Sequence, residues 1–200
     1  MVHPTARAVR LPGVLAGCLA IALCTVYMSK SVAQSEKDGR PQAGTTVDSG
    51  NASPIYGVTI PAGYRDWKLI SVNHLVTDKL DQLRAQVGND IAIKAYKEGK
   101  LPFPDGAIIV AIHWNHVPSE ENNQVLAPAF PGARSFVAAS AVNIQVMVKD
   151  SKKYAATGGW GFGDFKGGKP GDRALHETCF PCHAPGAAHD FVFAHYAPTP

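Results

Sequence analysis

The residues with the clearest chemical signature lie close to the C-terminus, in the sequence Cys179-Phe180-Pro181-Cys182-His183. Two thiols separated by two residues can lie on one side of a helical turn, where each can add to a vinyl group of haem and form a thioether. The histidine that follows is then held beneath the iron as its proximal ligand. This spacing predicts one covalently attached haem c per chain, bound through Cys179 and Cys182, with His183 on the metal.

Two other uses of this cysteine pair stay open. A structural zinc site usually takes four protein ligands, and the chain offers no second cysteine pair once its first 33 residues are set aside. A thioredoxin-like redox pair is expected near the start of an α/β domain, whereas this pair closes the chain and is followed at once by His183. The sequence favours haem over both.

The first 33 residues have the pattern of an export signal. Arg7 and Arg10 precede an apolar run over residues 11–28, and Ser31-Val32-Ala33 offers a cleavage site between small residues. The prediction is a periplasmic protein that begins at residue 34 after cleavage. One alternative is an uncleaved membrane anchor. Another is lipidation of Cys18, which would leave the protein attached to the membrane surface.

The charge balance of the predicted mature chain argues against a polyanionic partner. Residues 1–33 contain three of the 19 Lys and Arg residues and none of the 16 Asp and Glu residues, so removing them leaves equal numbers of each sign. A chain without net charge has no overall field to attract nucleic acid. We predict small, uncharged ligands and no nucleic-acid binding.

The rest of the chain divides into a polar leader and one folded domain. Residues 34–53 are rich in Gly, Ser, Thr and Gln, which predicts a flexible leader, and residues 54–200 form the domain. Apolar patterns predict strands at residues 56–60, 67–72, 107–114 and 141–148, with an aromatic strand near residues 158–162. Asn89 and Asp172 are predicted to cap two helices, the second leading to Cys179. These elements predict an α+β fold, mainly an antiparallel sheet with a few helices, in which a C-terminal helix carries the haem attachment.

Six ordered segments across residues 61–196 resemble the cytochrome P-460 family, which includes the β-sheet cytochromes c-prime. The matching segments are Tyr64-Arg65-Asp66-Trp67, Phe103-Pro104-Asp105-Gly106, Val148-Lys149-Asp150-Ser151, Gly158-Gly159-Trp160-Gly161-Phe162, the cysteine motif itself and Asp190-Phe191-Val192-Phe193. The resemblance implies an antiparallel sheet with helices, a homodimer, a single c-type haem with His183 as proximal ligand, and an open distal face. It also implies reactions with small nitrogen species, either nitric oxide binding or hydroxylamine oxidation.

The sequence departs from this family at positions that matter for the chemistry. The lysine that cross-links to haem in the family's enzymes corresponds here to Ala111, which has no amine. The family's pocket arginine corresponds to Arg84, for which a surface ion pair with Asp81 is the alternative role. The carboxylate associated with hydroxylamine turnover corresponds to Ala174, with Glu177 as the nearest substitute. These departures favour a haem that binds nitric oxide over an enzyme, although a hydroxylamine or nitrogen-oxide oxidoreductase stays open.

Three other side chains are candidates for the surroundings of the haem. By strand alternation His113 shares a face with Ala111, so it is predicted to be either a polar group or sixth ligand on the distal side, or a packed structural residue. Asp190 is a candidate acceptor for the second ring proton of His183, with a helix cap or a loop hydrogen bond as its alternative role. Met147 is predicted to pack in the core. A periplasmic electron carrier with an unidentified redox partner is a further alternative; it requires iron with both axial positions filled.

Overall fold

The computed structural model describes residues 50–197, which form one antiparallel sheet flanked by short helices. The predicted signal peptide and nearly all of the predicted leader lie outside these residues. Strands that follow each other in sequence are also neighbours in the sheet. The strands are β1 (Lys68–Val76), β2 (Asp81–Gly88), β3 (Ile108–Pro118), β4 (Phe136–Lys149), β5 (Trp160–Lys166) and β6 (Lys169–Pro170). The helices are α1 (Asp90–Glu98), α2 (Glu120–Leu126), α3 (Arg173–Glu177) and α4 (Cys179–His183), with 3-10 helices at Tyr64–Asp66, Ala155–Thr157 and Ala184–His189.

This architecture confirms the predicted α+β fold with a C-terminal motif helix. The continuous apolar run at the start of β3 predicted a strand covered on both faces, and β3 indeed lies inside the sheet, between β2 and β4. Ile109 and Val110 point to opposite faces, yet both are buried. Within residues 50–197 no helix is both long and apolar enough to cross a membrane.

Cross-strand pairing defines two faces of the sheet, because residues directly opposite each other point the same way. Arg84 on β2 lies opposite His113 on β3, which lies opposite Asn143 on β4. Two residues along, Ala111 lies opposite Gln145, which pairs with Asp164 on β5. We call the surface with these side chains the front face. The back face carries Val87, Val110 and Val146, which belong to the hydrophobic core.

Both predicted helix caps are confirmed. Asn89 begins α1, and its Oδ1 accepts a hydrogen bond of 3.0 Å from the Ala92 amide. The same side chain reaches into the next strand, since Oδ1 also accepts from Ile108 N and Nδ2 donates to Gly106 O. Asp172 begins α3 in the same way, with its Oδ1 2.8 Å from Leu175 N. Each cap therefore fixes where its helix starts relative to the sheet.

The predicted strand at residues 56–60 is wrong. Ile55 and Gly57 have positive φ angles of 73° and 66°, which break an extended run. The Val58 amide donates to the Ser53 side chain, and Ser53 Oγ in turn donates to Phe162 O. The apolar residues of this segment are buried because it packs along β5, not because it joins the ladder. Strand β2 and helix α2 were not predicted, since their sequences are largely polar.

Strand β4 was predicted correctly as a strand, but the exposure of its polar side was not predicted correctly. Strict alternation suggested that one face would meet water. Instead Lys149, on the supposedly open face, is buried, as is Met147, whose packing in the core was predicted. Gln145 and Asn143 donate to the Asp164 carboxylate on the neighbouring strand. The C-terminal segment covers only the end of this side, where Asp190 pairs with Lys149, and Gln145 stays exposed.

Candidate functional site

The cysteine motif forms a single helical turn that continues from α3. Thr178 separates the two helices, and its carbonyl accepts from Cys182 N at 3.1 Å. Pro181 is tolerated because it lies in the first turn of α4, where a missing amide donor costs little. The two thiols are thus one turn apart, Cys179 half-buried and Cys182 exposed.

The electrostatic surroundings of Cys179 bear on the choice between haem, zinc and redox chemistry. Burial raises the pKa of the Cys179 thiol to about 11, and the nearby Asp164 and Cys182 add to the rise. Disulfide exchange proceeds through the thiolate, which this site disfavours. Among residues 50–197 the cysteines also belong to no cluster of three or more metal-ligating groups. Both alternatives to haem are weakened.

His183 is held in one tautomer by the backbone. Its Nδ1 donates a 2.7 Å hydrogen bond to Phe191 O, so the Nε2 lone pair is the atom available to a metal. Burial lowers the pKa of His183, and the bond to the Phe191 carbonyl opposes that fall. The Phe162 and Phe193 rings lie 5.0 and 5.1 Å from the imidazole. The result is a neutral, oriented imidazole among aromatic rings.

The hypothesis that Asp190 accepts the His183 ring proton is wrong, because that acceptor is Phe191 O. Asp190 instead forms a buried ion pair with Lys149, whose Nζ lies 2.7 and 2.9 Å from the two carboxylate oxygens. It also accepts from the Phe103 amide. Asp190 and Phe191 both have positive φ angles, 52° and 64°. Such angles cost about 1–2 kcal/mol for residues other than glycine, so the ion pair stabilises the turn that aims the carbonyl at His183.

The glycine-rich segment before β5 serves this same turn. Gly158 has a φ of 66°, and a Cβ there would overlap the Phe191 ring. Its carbonyl accepts a third hydrogen bond from Lys149, at 3.0 Å. The indole of Trp160 donates to Asp190 O at 2.8 Å. Residues from the predicted aromatic strand therefore position the proximal side of the motif.

Arg84 lies on the front face, and its pKa depends on burial and on the charge of Cys182 in the motif. Burial lowers its pKa, while a negative charge on Cys182 would raise it. Its Nη2 donates to Gln82 Oε1 at 3.3 Å, but its Nε is buried and has no partner among the described residues. Asp81, the ion-pair partner considered for Arg84, interacts with two histidines instead. Asn143 Oδ1, two strands away, is likewise buried without a partner.

His113 lies between Arg84 and Asn143 and is only 2% exposed. Burial, with a further contribution from the Arg84 guanidinium, lowers the pKa of His113 to about 4. The imidazole is therefore neutral at pH 7. Ala111, on the same face, is half-buried. The structure thus places Arg84, Ala111 and His113 on one face of the sheet.

Glu177 does not join this group. It is exposed on α3 and pairs with Arg173 one helical turn away, at 3.0 Å. Sequence reasoning missed two other residues, Asp164 and His176. His176 is fully buried and links α3 to β5, because its Nε2 accepts from Asp164 N and its Nδ1 lies 2.8 Å from Asp172 O. No sequence pattern indicates that His176 faces the sheet, so its role could not be predicted.

The family comparison agrees with this geometry. A family model described as cytochrome P460 matches residues 61–194, more than half of the chain. The chain belongs to the cytochrome P460 family. Comparison with curated proteins gives no match. Membership makes the protein a haem cytochrome, and the match begins at Pro61 and ends at Ala194, close to the limits of the resemblance seen in the sequence.

The residues of this cytochrome P460 family member fit a haem group. The motif helix offers two thiols and one imidazole nitrogen that the described hydrogen bonds leave free. Aromatic rings surround that imidazole, and unpartnered polar atoms of Arg84 and Asn143 lie on the front face of the sheet. A separate cleft of about 240 Å³ lies between α1 and the C-terminal segment. Neither motif cysteine lines that cleft, so we assign the haem site from the thiol and imidazole atoms of the motif and not from a cavity.

Proposed function

We propose that this protein is an exported monohaem cytochrome that binds nitric oxide or a related small nitrogen oxide. In this proposal Cys179 and Cys182 attach the haem covalently, and His183 Nε2 binds its iron. The observation that carries it is the orientation of His183, whose Nδ1 donates to a backbone carbonyl while two free thiols lie one helical turn apart in the same motif. Bound haem supplies an iron centre whose open axial position can take a small diatomic ligand.

The side chains on the front face support ligand binding more than catalysis. Ala111 cannot form the amine cross-link that the family's enzymes carry. Arg84 has a buried, unpartnered Nε that can donate a charge-assisted hydrogen bond to a bound ligand. Glu177, the substitute proton carrier, is exposed and engaged with Arg173. Met147, the one methionine in residues 50–197, is packed in the core, which argues against a simple His/Met electron carrier.

Covalent attachment is tested by extracting the denatured protein with acidified organic solvent. Haem should stay with the wild-type chain and be released from a Cys179→Ala, Cys182→Ala variant. The ferrous protein is then titrated with nitric oxide and followed by its absorption spectrum. We expect saturation at one ligand per haem. A ferric spectrum typical of low-spin iron with two strong protein ligands, together with no response to nitric oxide, would contradict the proposal.

Arg84 provides a matched test of the distal side. Losing a hydrogen bond to a charged donor costs about 1.5–3 kcal/mol, so Arg84→Gln should raise the dissociation rate of nitric oxide at least about tenfold. Arg65→Gln, at an exposed arginine, is the control and should leave the rate unchanged. Equal nitric oxide dissociation rates in the wild type, Arg84→Gln and Arg65→Gln would show that Arg84 does not contact the bound ligand.

Enzyme activity is the second candidate, and the identity of residue 111 separates it from binding. A steady-state assay with hydroxylamine and an electron acceptor should show no turnover above free haem for the wild type. Ala111→Lys restores the amine, and a new red-shifted absorption band in this variant would report the cross-link. Rapid wild-type turnover would favour the oxidoreductase instead.

A further inference from the structure

Three potential metal ligands meet on the back face of the sheet, outside the motif. His74 Nε2 lies 2.6 Å from Asp81 Oδ1, and His116 Nε2 lies 2.7 Å from the same oxygen. The two Nε2 atoms are 3.2 Å apart. His74 and Asp81 belong to adjacent strands, and His116 comes from the third strand. One ligand atom from each residue therefore points at a common centre.

The strands hold these side chains before any ligand binds. Asp81 follows a tight turn in which the Thr77 amide donates to Leu80 O at 2.7 Å, and the Thr77 hydroxyl accepts from Leu80 N. The His116 side chain is only 13% exposed and meets the Phe136 ring edge-on at 5.2 Å. His74 and Asp81 are about half exposed, so the centre is open to water on one side.

Hydrogen bonding alone accounts poorly for this arrangement. If both imidazoles donate their Nε2 protons to Asp81, two N–H donors face each other across 3.2 Å. If one imidazole does not donate, the lone pair of its Nε2 faces a lone pair of the Asp81 carboxylate, and the two repel each other. A cation at the centre removes both conflicts, because all three atoms then present lone pairs to it.

The ligand types and spacing select the kind of ion. Tetrahedral zinc with bonds of 2.0–2.1 Å has ligand atoms about 3.3 Å apart, and the three observed separations need only a small outward relaxation to reach that value. Imidazole with one carboxylate suits zinc and neighbouring transition metals, whereas calcium and magnesium prefer sites built from oxygen. Three protein ligands leave a fourth position for water.

We propose that His74, Asp81 and His116 form a surface binding site for a divalent transition-metal ion of the zinc type. The site is distinct from the cysteine motif. His74 lies opposite Leu83, whereas Arg84, the next residue on β2, points to the front face. Along β3 the five residue steps from Ala111 to His116 span about 17 Å. The Nδ1 of His116 is buried without a partner, so the imidazole lacks the outer acceptor usual at tight sites, and we expect weaker binding than at a closed structural zinc site.

The test uses the haem-loaded protein, in which thioether formation removes both cysteines as competing ligands. Zinc is titrated into metal-free protein in competition with a chromophoric chelator. We expect one equivalent to bind, and His74→Gln, Asp81→Asn and His116→Gln each to weaken binding at least about tenfold, since loss of mere outer-sphere partners already costs about 10- to 100-fold. His195→Gln, at an exposed histidine elsewhere, is the matched control and should bind as the wild type does. Magnesium at the same concentration should not compete.

Folding is checked by the haem absorption and far-UV circular dichroism of each variant. His74→Gln and Asp81→Asn change half-exposed side chains, so their folds should survive even if His116→Gln is destabilised. Wild-type binding that persists unchanged in His74→Gln and Asp81→Asn would overturn the proposal, as would the absence of zinc binding. Nitric oxide binding should be the same in wild type and His74→Gln, so a failure of the haem proposal and of the zinc proposal can be told apart.

Discussion

At the residue scale, the partners of His183 and Asp190 show how the motif is supported. The ring proton of His183 goes to a carbonyl, which donates less electron density through the imidazole than a carboxylate would. The Asp190 carboxylate, one residue before Phe191, instead accepts hydrogen bonds from Lys149 and from the Phe103 amide. Asp190 therefore acts on His183 only indirectly, by fixing the turn that contains Phe191.

Removing Lys149 should be strongly destabilising. The side chains of Lys149 and Asp190 are 4% and 7% exposed, so Lys149→Met leaves a buried carboxylate without its counter-charge. Such a loss costs about 3–5 kcal/mol in the free energy of unfolding. Urea denaturation of the haem-loaded protein measures it. The double variant Lys149→Met, Asp190→Asn should recover a large part of the loss, because it removes the orphaned charge. A cost below about 1 kcal/mol for Lys149→Met would mean that water reaches Asp190.

His113 should make stability depend on pH below neutrality. Its folded pKa of about 4 lies below the ordinary value of 6.5, so the unfolded chain takes up the proton first as the pH falls. Relative to a variant without the imidazole, the wild type should lose stability progressively from pH 6.5 toward pH 4, by about 3 kcal/mol at most. Unfolding free energies of wild type and His113→Gln at pH 7, 5.5 and 4.5 test this. Parallel pH profiles would show that His113 is not buried as a neutral group.

At the element scale, the capping residues set how each helix meets the sheet. Strand β3 begins next to the start of α1, and Asn89 joins them through three hydrogen bonds. Helix α2 has a simpler cap, in which half-buried Ser119 accepts from Asn122 N at 3.3 Å. The difference follows from position, since α1 packs beside the core and α2 lies at the surface with no buried residue.

We therefore expect Asn89→Ala to lower the free energy of unfolding more than Ser119→Ala does. Loss of a helix cap costs about 1 kcal/mol, and the two further bonds of Asn89 add about 1 kcal/mol each, for a total of about 2–3 kcal/mol. Ser119→Ala should cost about 0.5 kcal/mol. Thermal or urea unfolding of both variants gives the comparison. Equal losses would indicate that the contacts of Asn89 with Gly106 and Ile108 contribute nothing.

Element prediction succeeded where a segment carried a local signal and failed where its neighbours decided the outcome. The apolar run of β3, the alternation of β4 and the caps at Asn89 and Asp172 are local, and all four were found. Residues 56–60 have a strand-like composition, but Ser53 ties their backbone into a loop against β5. Strand β2 has polar residues on the front face, so its hydrophobic signal is weak.

At the scale of the whole molecule, the prediction of export can be tested directly by mass. The intact mass of the protein from the periplasm should equal residues 34–200 plus one haem, because cleavage after Ala33 removes the basic, apolar segment. A chain that begins at a lipidated Cys18, or that retains residue 1, would contradict this. Light scattering of the same sample should give twice that mass, as expected for a homodimer.

The sequence by itself determined the spacing of Cys179, Cys182 and His183, the α+β class of the domain and the absence of an amine at Ala111. These conclusions depend on residue types and short spacings, which no packing can change. Only the tertiary structure decided that Phe191, not Asp190, holds the His183 proton, that Lys149 is buried, and that His74, Asp81 and His116 share a centre. Each of those contacts joins residues on different elements, and their distances are set by strand register and by what covers each face of the sheet.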